Sequence, residues 1–139
     1  MDRAEFQQLA EDRVLDAEAL LAAGRWSAAY HLAGYAVECG LKSCVLAYLK
    51  QHPEVVFQVK RFSERCWTHN IDELVLLAGL KTDRDAAAVN AVFAQNWLTV
   101  TYWDEASRYQ QIPQSEAEAI FQAVTTPTNG ILPWIRTRW

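Results

Sequence analysis

Three ionisable side chains stand in a segment that is otherwise apolar enough for the middle of a core helix, YHLAGYAVECGLKS. Their spacing places them on one face of a helix together with a tyrosine, and we call this set the polar row: His31, Tyr35, Glu38 and Lys42. Glu38 and Lys42 are four residues apart in the order that favours an ion pair on a helix. The row therefore predicts one of two structures. It is either the phosphate- or base-binding face of a cleft or subunit interface, or a solvent-facing helix edge on which Glu38 and Lys42 are simply paired.

A histidine stands just before an expected helix start in the segment WTHN. Asn70 is a good N-cap residue for that helix, because its side-chain oxygen can accept from a free backbone N–H. The N-terminus of a helix favours anions, so His69 is a candidate contact to an anion. An ordinary turn residue at His69 is the alternative, and the segment leaves both open.

Aromatic residues and an arginine are interleaved in the segment NWLTVTYWDEASRYQ. Aromatic rings can stack on nucleobases, and an arginine among them can pair with phosphate. We expect Trp97 and Tyr102 in the core. The candidates for exposed roles are Trp103, Arg108 and Tyr109.

Composition and motif searches exclude several function classes. The net charge of −4 argues against broad, sequence-independent nucleic-acid binding, although nine of the 13 positive residues are arginine and a local basic patch stays possible. The three cysteines lack metal-ligand spacing, and the chain has no Gly-rich phosphate loop, GxSxG, HExxH or CxxC motif. We therefore predict no metal site and no cofactor.

Helical periodicity and capping signals predict the elements that position these residues. A first amphipathic helix starts with a capping box at Asp2 and stops at Gly24. A second runs from about Trp26 to Lys50, and its many small residues indicate the central helix of a bundle. Later helix starts are expected after three polar caps: Asn70, Thr82 or Asp83, and Ser115 with Glu118.

The segment between the second helix and His69 reads as an irregular connector, in which VVFQV could form a short strand. Together these elements predict a single all-α domain over residues 1–139, an antiparallel up-and-down bundle of four to five helices. The first turns alternate charged and apolar residues, unlike a signal peptide, and no apolar run reaches the ~18 residues needed to span a bilayer. We expect a cytoplasmic protein with no membrane partner.

Four segments taken in order resemble the HEPN family of small all-α domains. The segments are AGRWSAAYHLAGYAVECGLKS, THNIDELVLLAG, NWLTVTYWDEASRYQ and NGILPWIRTRW. A Gly-Arg-aromatic step followed by an Ala-Val-Glu…Leu-Lys pattern carries most of the resemblance, here at Gly24, Arg25, Trp26, Ala36, Val37, Glu38, Leu41 and Lys42. The Thr-His-Asn step at His69 and the Arg-Tyr step at Arg108 follow in the family's order.

The resemblance implies a HEPN-like up-and-down bundle that forms a homodimer. It also implies pairing with a minimal nucleotidyltransferase, often as a toxin–antitoxin pair, and binding of nucleotide or RNA. The nucleotide- or partner-binding residues are then expected to be His31, Glu38, Lys42, His69, Trp103, Arg108 and Tyr109.

Many HEPN proteins are metal-independent RNases that use an Arg-x(4–6)-His motif near the start of a late helix. Here the positions that follow Arg108 at this spacing hold Pro113, Gln114 and Ser115 instead of histidine. Arg25 and His31 do have five residues between them, but they lie at the start of the second helix. The sequence thus favours a non-catalytic HEPN-type module, and the alternative is an RNase toxin with a displaced Arg25/His31 pair.

Overall fold

The computed structural model describes all residues from 1 to 139 and contains helices without any β-strand. The all-α prediction is confirmed. There are nine α-helices and one 3₁₀ helix, the latter at Glu105–Tyr109. The α-helices are α1 (Arg3–Ala22), α2 (Trp26–Gln51), α3 (Val55–Gln58), α4 (Phe62–Arg65), α5 (Ile71–Leu77), α6 (Lys81–Ala87), α7 (Ala91–Thr101), α8 (Gln114–Thr125) and α9 (Ile131–Arg136).

The first helix begins and ends where its capping signals predict. The Glu5 N–H donates to the Asp2 carboxylate at 2.8 Å, and the Asp2 N–H donates to the Glu5 carboxylate at 2.7 Å. These two bonds form the expected capping box. Gly24 has a φ of +72°, a left-handed conformation that glycine adopts without steric cost. The chain therefore turns sharply and continues directly into α2.

Helix α2 is the centre of the fold, as its small residues indicated. It packs against α1, α5, α8, α9 and the 3₁₀ helix, and half of its 26 residues are buried. Two glycines permit the closest approaches. A Cβ at Gly34 would lie 2.3 Å from the Trp103 ring, and one at Gly40 would lie 3.0 Å from Ile135. Any side chain at Gly34 would occupy the space that the indole fills.

Three local predictions are wrong: the strand in VVFQV and the capped starts of α6 and α8. VVFQV forms the single helical turn α3 instead of a strand. Helix α6 begins at Lys81, one residue after Leu80, so neither Thr82 nor Asp83 caps it. Helix α8 begins after Pro113 without a side-chain cap, so Ser115 lies inside its first turn. Proline is well suited to a helix start because its φ is fixed and it needs no N–H partner there.

One helix, α2, is long and apolar enough to cross a membrane by length and composition. However, 61% of its most apolar 18-residue window is buried against the rest of the chain. A core helix of a folded domain has this combination of properties.

Candidate functional site

An open groove lies where the start of α2 meets the 3₁₀ helix and the segment that follows it. Its volume is about 670 Å³. The groove is lined by Gly24, Arg25, Trp26, Ser27, Ala28, His31, Leu32, Arg108, Gln111 and Ile112. Arg25, His31 and Arg108, which come from two separate sequence motifs, therefore share one cavity.

The turn at Gly24 leaves the start of α2 open to the groove. Arg25 is the N-cap residue of α2 and makes no side-chain capping bond. The backbone N–H groups of Trp26, Ser27 and Ala28 have no hydrogen-bond partner in the chain, as is usual for the first turn of an uncapped helix. Arg25 itself is exposed and takes part in none of the ion pairs of the chain. This end of the groove is therefore positively charged and offers unpaired hydrogen-bond donors.

Three hydrogen bonds attach residues 103–112, which we call the 3₁₀ segment, to α2 and so fix one wall of the groove. The Trp103 indole N–H donates to the His31 carbonyl oxygen at 3.1 Å. The Ser107 hydroxyl lies 3.1 Å from His31 Nδ1. The Ile112 N–H donates to the Ser27 hydroxyl at 2.9 Å. Arg108 lies between these anchor points, so its backbone position is set by them.

His31 is held half-buried between the two walls of the groove. Burial lowers its pKa, and the positive charge of Arg108 lowers it further, while Glu105 and Glu38 act in the opposite direction. The lowered pKa favours a neutral imidazole at pH 7. Because Nδ1 is engaged with Ser107, Nε2 is the ring nitrogen left to exchange a proton with a ligand.

A chain of ionisable side chains runs from the middle of α2 to the groove. We call it the ion-pair network, and it consists of Lys42, Glu38, His69, Glu105 and Arg108. Glu38 Oε1 lies 2.8 Å from Lys42 Nζ and 2.9 Å from His69 Nδ1. On its other side, His69 Nε2 lies 3.2 Å from Glu105 Oε2, and Glu105 Oε1 lies 3.3 Å from Arg108 Nη1.

The structure divides the polar row between these two arrangements. His31 lines the groove, whereas Glu38 is 1% exposed and belongs to the ion-pair network. Glu38 and Lys42 are paired, but the face that carries them is not a solvent-facing edge, because α5 and the 3₁₀ helix pack against α2 and His69 contacts Glu38. His69 does not reach the groove. It lines a separate cavity of about 420 Å³ beside Asp104 and Glu105.

Two of the aromatic assignments are wrong. Trp103, expected to be exposed, is 3% exposed because its ring packs on Gly34. Tyr102, expected in the core, is 76% exposed, because α7 ends at Thr101 and the chain turns there. Trp97 is buried as expected. Tyr109 is exposed, and the Arg108 guanidinium lies 4.9 Å from the centre of its ring.

Sequence reasoning missed Glu105 and Ser107, which connect the candidate residues to one another. Glu105 lies three residues before Arg108, a spacing that indicates an ion pair within a helical turn. Ser107 carries no such signal, because its partner His31 is 76 residues away in the chain. Only the folded chain brings that pair together.

No group of three or more His, Cys, Asp or Glu residues is arranged to hold a metal ion. Comparison with models of known protein families, with curated proteins and with solved structures gave no match.

Proposed function

We propose that this protein is a non-catalytic HEPN-type module that binds a phosphate group of RNA or of a nucleotide in the groove between Arg25 and Arg108. The observation that carries the proposal is the convergence of Arg25, His31 and Arg108 on one cavity. The HEPN resemblance supplies the remaining parts: a compact up-and-down bundle, a homodimer, a minimal nucleotidyltransferase as partner, and a cytoplasmic location.

The chemistry of the groove suits an anion with several oxygen atoms. Two guanidinium groups each offer paired N–H donors that match phosphate oxygens. The free N–H groups at the start of α2 add donors and the positive end of the helix dipole. Trp26, half-buried at the edge of the groove, offers a ring on which a base can stack.

The net charge of −4 supports local binding over binding to any nucleic acid surface. A protein of that charge is repelled by a polyanion at long range, so affinity has to come from a small number of close contacts. The groove offers such contacts at Arg25 and Arg108. We therefore expect short single-stranded RNA or a nucleotide to bind, and duplex RNA to bind poorly.

The lining of the groove supports binding over cleavage. Acid–base cleavage of RNA uses one group to accept a proton and another to donate one. His31 is the single lining residue of a type that exchanges protons near neutral pH.

The test is binding of a fluorescently labelled single-stranded RNA, measured by fluorescence anisotropy. Arg25→Gln and Arg108→Gln should each weaken binding about 10-fold, because a charge-assisted hydrogen bond contributes about 1.5–3 kcal/mol. Each variant should also reduce the salt dependence by about one released ion.

Arg61→Gln is the matched control, because Arg61 is exposed on the connector and its loss changes the net charge equally. Equal weakening by all three variants would contradict a specific site in the groove. So would the absence of any RNA or nucleotide binding by the unchanged protein.

A second candidate function, RNA cleavage, is favoured by one observation: Arg25 and His31 line the same groove. Here His31 Nε2 would accept the proton of a ribose 2′-hydroxyl, and the resulting oxygen would attack the adjacent phosphorus. Arg25 and Arg108 would stabilise the added negative charge. The bond from phosphorus to the 5′-oxygen would break, and the 5′-oxygen would take a proton from solvent water, giving a 2′,3′-cyclic phosphate. His31 would then return its proton to solvent.

Incubation of the purified protein with total RNA and tRNA distinguishes the two functions. Cleavage that disappears in His31→Ala and in Arg25→Ala would establish the RNase and replace the binding proposal. RNA left intact by the unchanged protein, together with binding that depends on Arg25, supports the non-catalytic module.

The proposed assembly has its own test, by sedimentation equilibrium at high micromolar concentration. We expect a dimer, and a stable complex when a small nucleotidyltransferase encoded beside this protein is added. A protein that stays monomeric and ignores that partner would contradict this part of the proposal.

A further inference from the structure

The two oxygens of the Glu105 carboxylate contact two different side chains, Arg108 and His69. Oε1 lies 3.3 Å from the Arg108 guanidinium, and Oε2 lies 3.2 Å from His69 Nε2. Arg108 lines the groove, whereas His69 lies outside it. A change at His69 can therefore reach the groove through one carboxylate.

His69 lies between two carboxylates, and it can present an N–H group to both only when its imidazole is protonated. Nδ1 lies 2.9 Å from Glu38 Oε1, and Nε2 lies 3.2 Å from Glu105 Oε2. A protonated imidazole has an N–H on each nitrogen, so it donates a hydrogen bond to Glu38 and forms an ion pair with Glu105. A neutral imidazole has one donor and one lone pair, so it must present the lone pair to either Glu38 or Glu105.

A neutral His69 ring has one N–H group, and the burial of Glu38 determines which carboxylate that group faces. Glu38 is 1% exposed, and its second oxygen, Oε2, is buried without any partner. Loss of a further donor to a buried carboxylate is costly, because no water replaces it. The Glu105 side chain is 39% exposed, so water can replace its contact with His69 while its ion pair with Arg108 remains. The neutral ring therefore keeps its proton on Nδ1, toward Glu38, and releases Glu105.

We propose that His69 is a positioning residue that controls how strongly Glu105 holds Arg108. With a proton on each ring nitrogen, His69 shares Glu105 with Arg108, as in the structure, and so weakens the hold of Glu105 on Arg108. After loss of one proton, Glu105 pairs with Arg108 alone and competes more strongly with the phosphate. This inference rests on the proposed function and adds that phosphate binding is coupled to proton uptake outside the groove.

The other charged groups around His69 are Lys42 and Glu38 on α2, Asp72 on α5, and Asp104, Glu105 and Arg108 on the 3₁₀ segment. Asp72 is already paired with Arg84 at 3.0 Å. Among all these groups His69 alone is of a residue type that exchanges a proton near neutral pH. The coupling therefore has a single switching group outside the groove.

The chain contains three histidines, which allows a clean measurement. His31 lines the groove and His52 is exposed beside Glu54. In a His31→Gln, His52→Gln background, His69 is the one histidine left. Binding of a labelled single-stranded RNA is then measured at pH 6 and pH 8 at constant ionic strength.

We expect the affinity of this background to fall about 3- to 5-fold from pH 6 to pH 8, in line with the strength of a part-exposed ion pair. Adding His69→Gln should give the weak affinity at both pH values. Adding Glu105→Gln should give the strong affinity at both. A merely structural role would not move the two variants in opposite directions.

Glu64→Gln is the charge-matched control for Glu105→Gln, because Glu64 is exposed on α4 and contacts Arg61. It should keep the full pH dependence. An RNA affinity that still depends on pH without His69, or weaker binding in Glu105→Gln, would overturn the inference.

If no RNA binds at any pH, the proposed function fails and the inference fails with it. RNA binding that depends on Arg25 but has the same affinity at pH 6 and pH 8 in the His31→Gln, His52→Gln background overturns the inference alone.

Discussion

The two halves of α2 are joined to the rest of the protein by different kinds of contact. The first half meets the 3₁₀ segment through directed hydrogen bonds, such as that from the Trp103 indole to the His31 carbonyl. The second half meets α9 through apolar packing, with Gly40 against Ile135 and Leu132. Apolar packing tolerates small shifts, whereas hydrogen bonds and ion pairs require fixed orientations. We call the first half of α2 the polar half and the second half the apolar half. The candidate site lies at the polar half, where orientation is fixed.

Gly34 and Gly40 allow a direct comparison of the two halves. Gly34→Ala should destabilise the protein by about 2–3 kcal/mol, because the new methyl group would overlap the Trp103 ring. Gly40→Ala should stay within about 1 kcal/mol of the parent, because Ile135 must move only slightly and alanine favours the helix. Urea unfolding measures both. Equal costs would show that the two contacts are equally tolerant.

Glu38 tests whether the ion-pair network stabilises the polar half. Glu38→Ala should cost about 2 kcal/mol, since it leaves Lys42 and His69 without their shared partner. Glu38→Gln keeps the shape and an acceptor oxygen and should cost less. Both free energies of unfolding come from the same urea titrations. A Glu38→Ala variant as stable as the parent would indicate that the network sets geometry without adding stability.

Two buried serines form a matched pair across the halves. Ser107→Ala should cost about 1 kcal/mol, because it removes the hydrogen bond to His31. Ser43, on the apolar half, is buried with no partner for its hydroxyl. Ser43→Ala should therefore be neutral or stabilising by about 0.5 kcal/mol, since it removes an unsatisfied polar group from a helix. Thermal unfolding should show a lower midpoint for Ser107→Ala and an unchanged or higher midpoint for Ser43→Ala.

His31 gives the smallest effect, which depends on pH. Its pKa is lowered in the folded protein, mainly by burial, so the unfolded chain binds this proton more readily. Stability should therefore increase as the pH rises from below the lowered pKa to about 6.5, the ordinary value for histidine. His31→Gln should remove this part of the pH dependence. The difference between parent and variant, measured by urea unfolding from pH 5 to pH 8, should be flat above pH 7.

The first two helices could be predicted well from sequence. The small residues of α2 and the capping box at Asp2 gave the central helix and the first helix close to their true limits. The three candidate residues in the groove could also be named, although their convergence could not. Arg25 and Arg108 lie far apart in sequence, and only the fold brings them to one cavity.

The failures have a common physical cause. Trp103 and Tyr102 are neighbours with similar composition around them, yet one is buried and the other exposed. Which of them turns inward depends on where α7 ends and on the space above Gly34. That space is created by Gly34 on α2, far away in the sequence, so the residues next to Trp103 and Tyr102 do not predict it.

The missing cap of α2 also has a consequence for stability. A serine or aspartate at an N-cap position typically adds about 1 kcal/mol to a protein. Here the position holds Arg25, which makes no capping bond. Arg25→Asp should thus make the protein more heat-resistant while it reverses the charge at the mouth of the groove. At position 25, aspartate favours stability and arginine favours anion binding. Selection for heat resistance alone would therefore favour the loss of Arg25 and, with it, of the anion site.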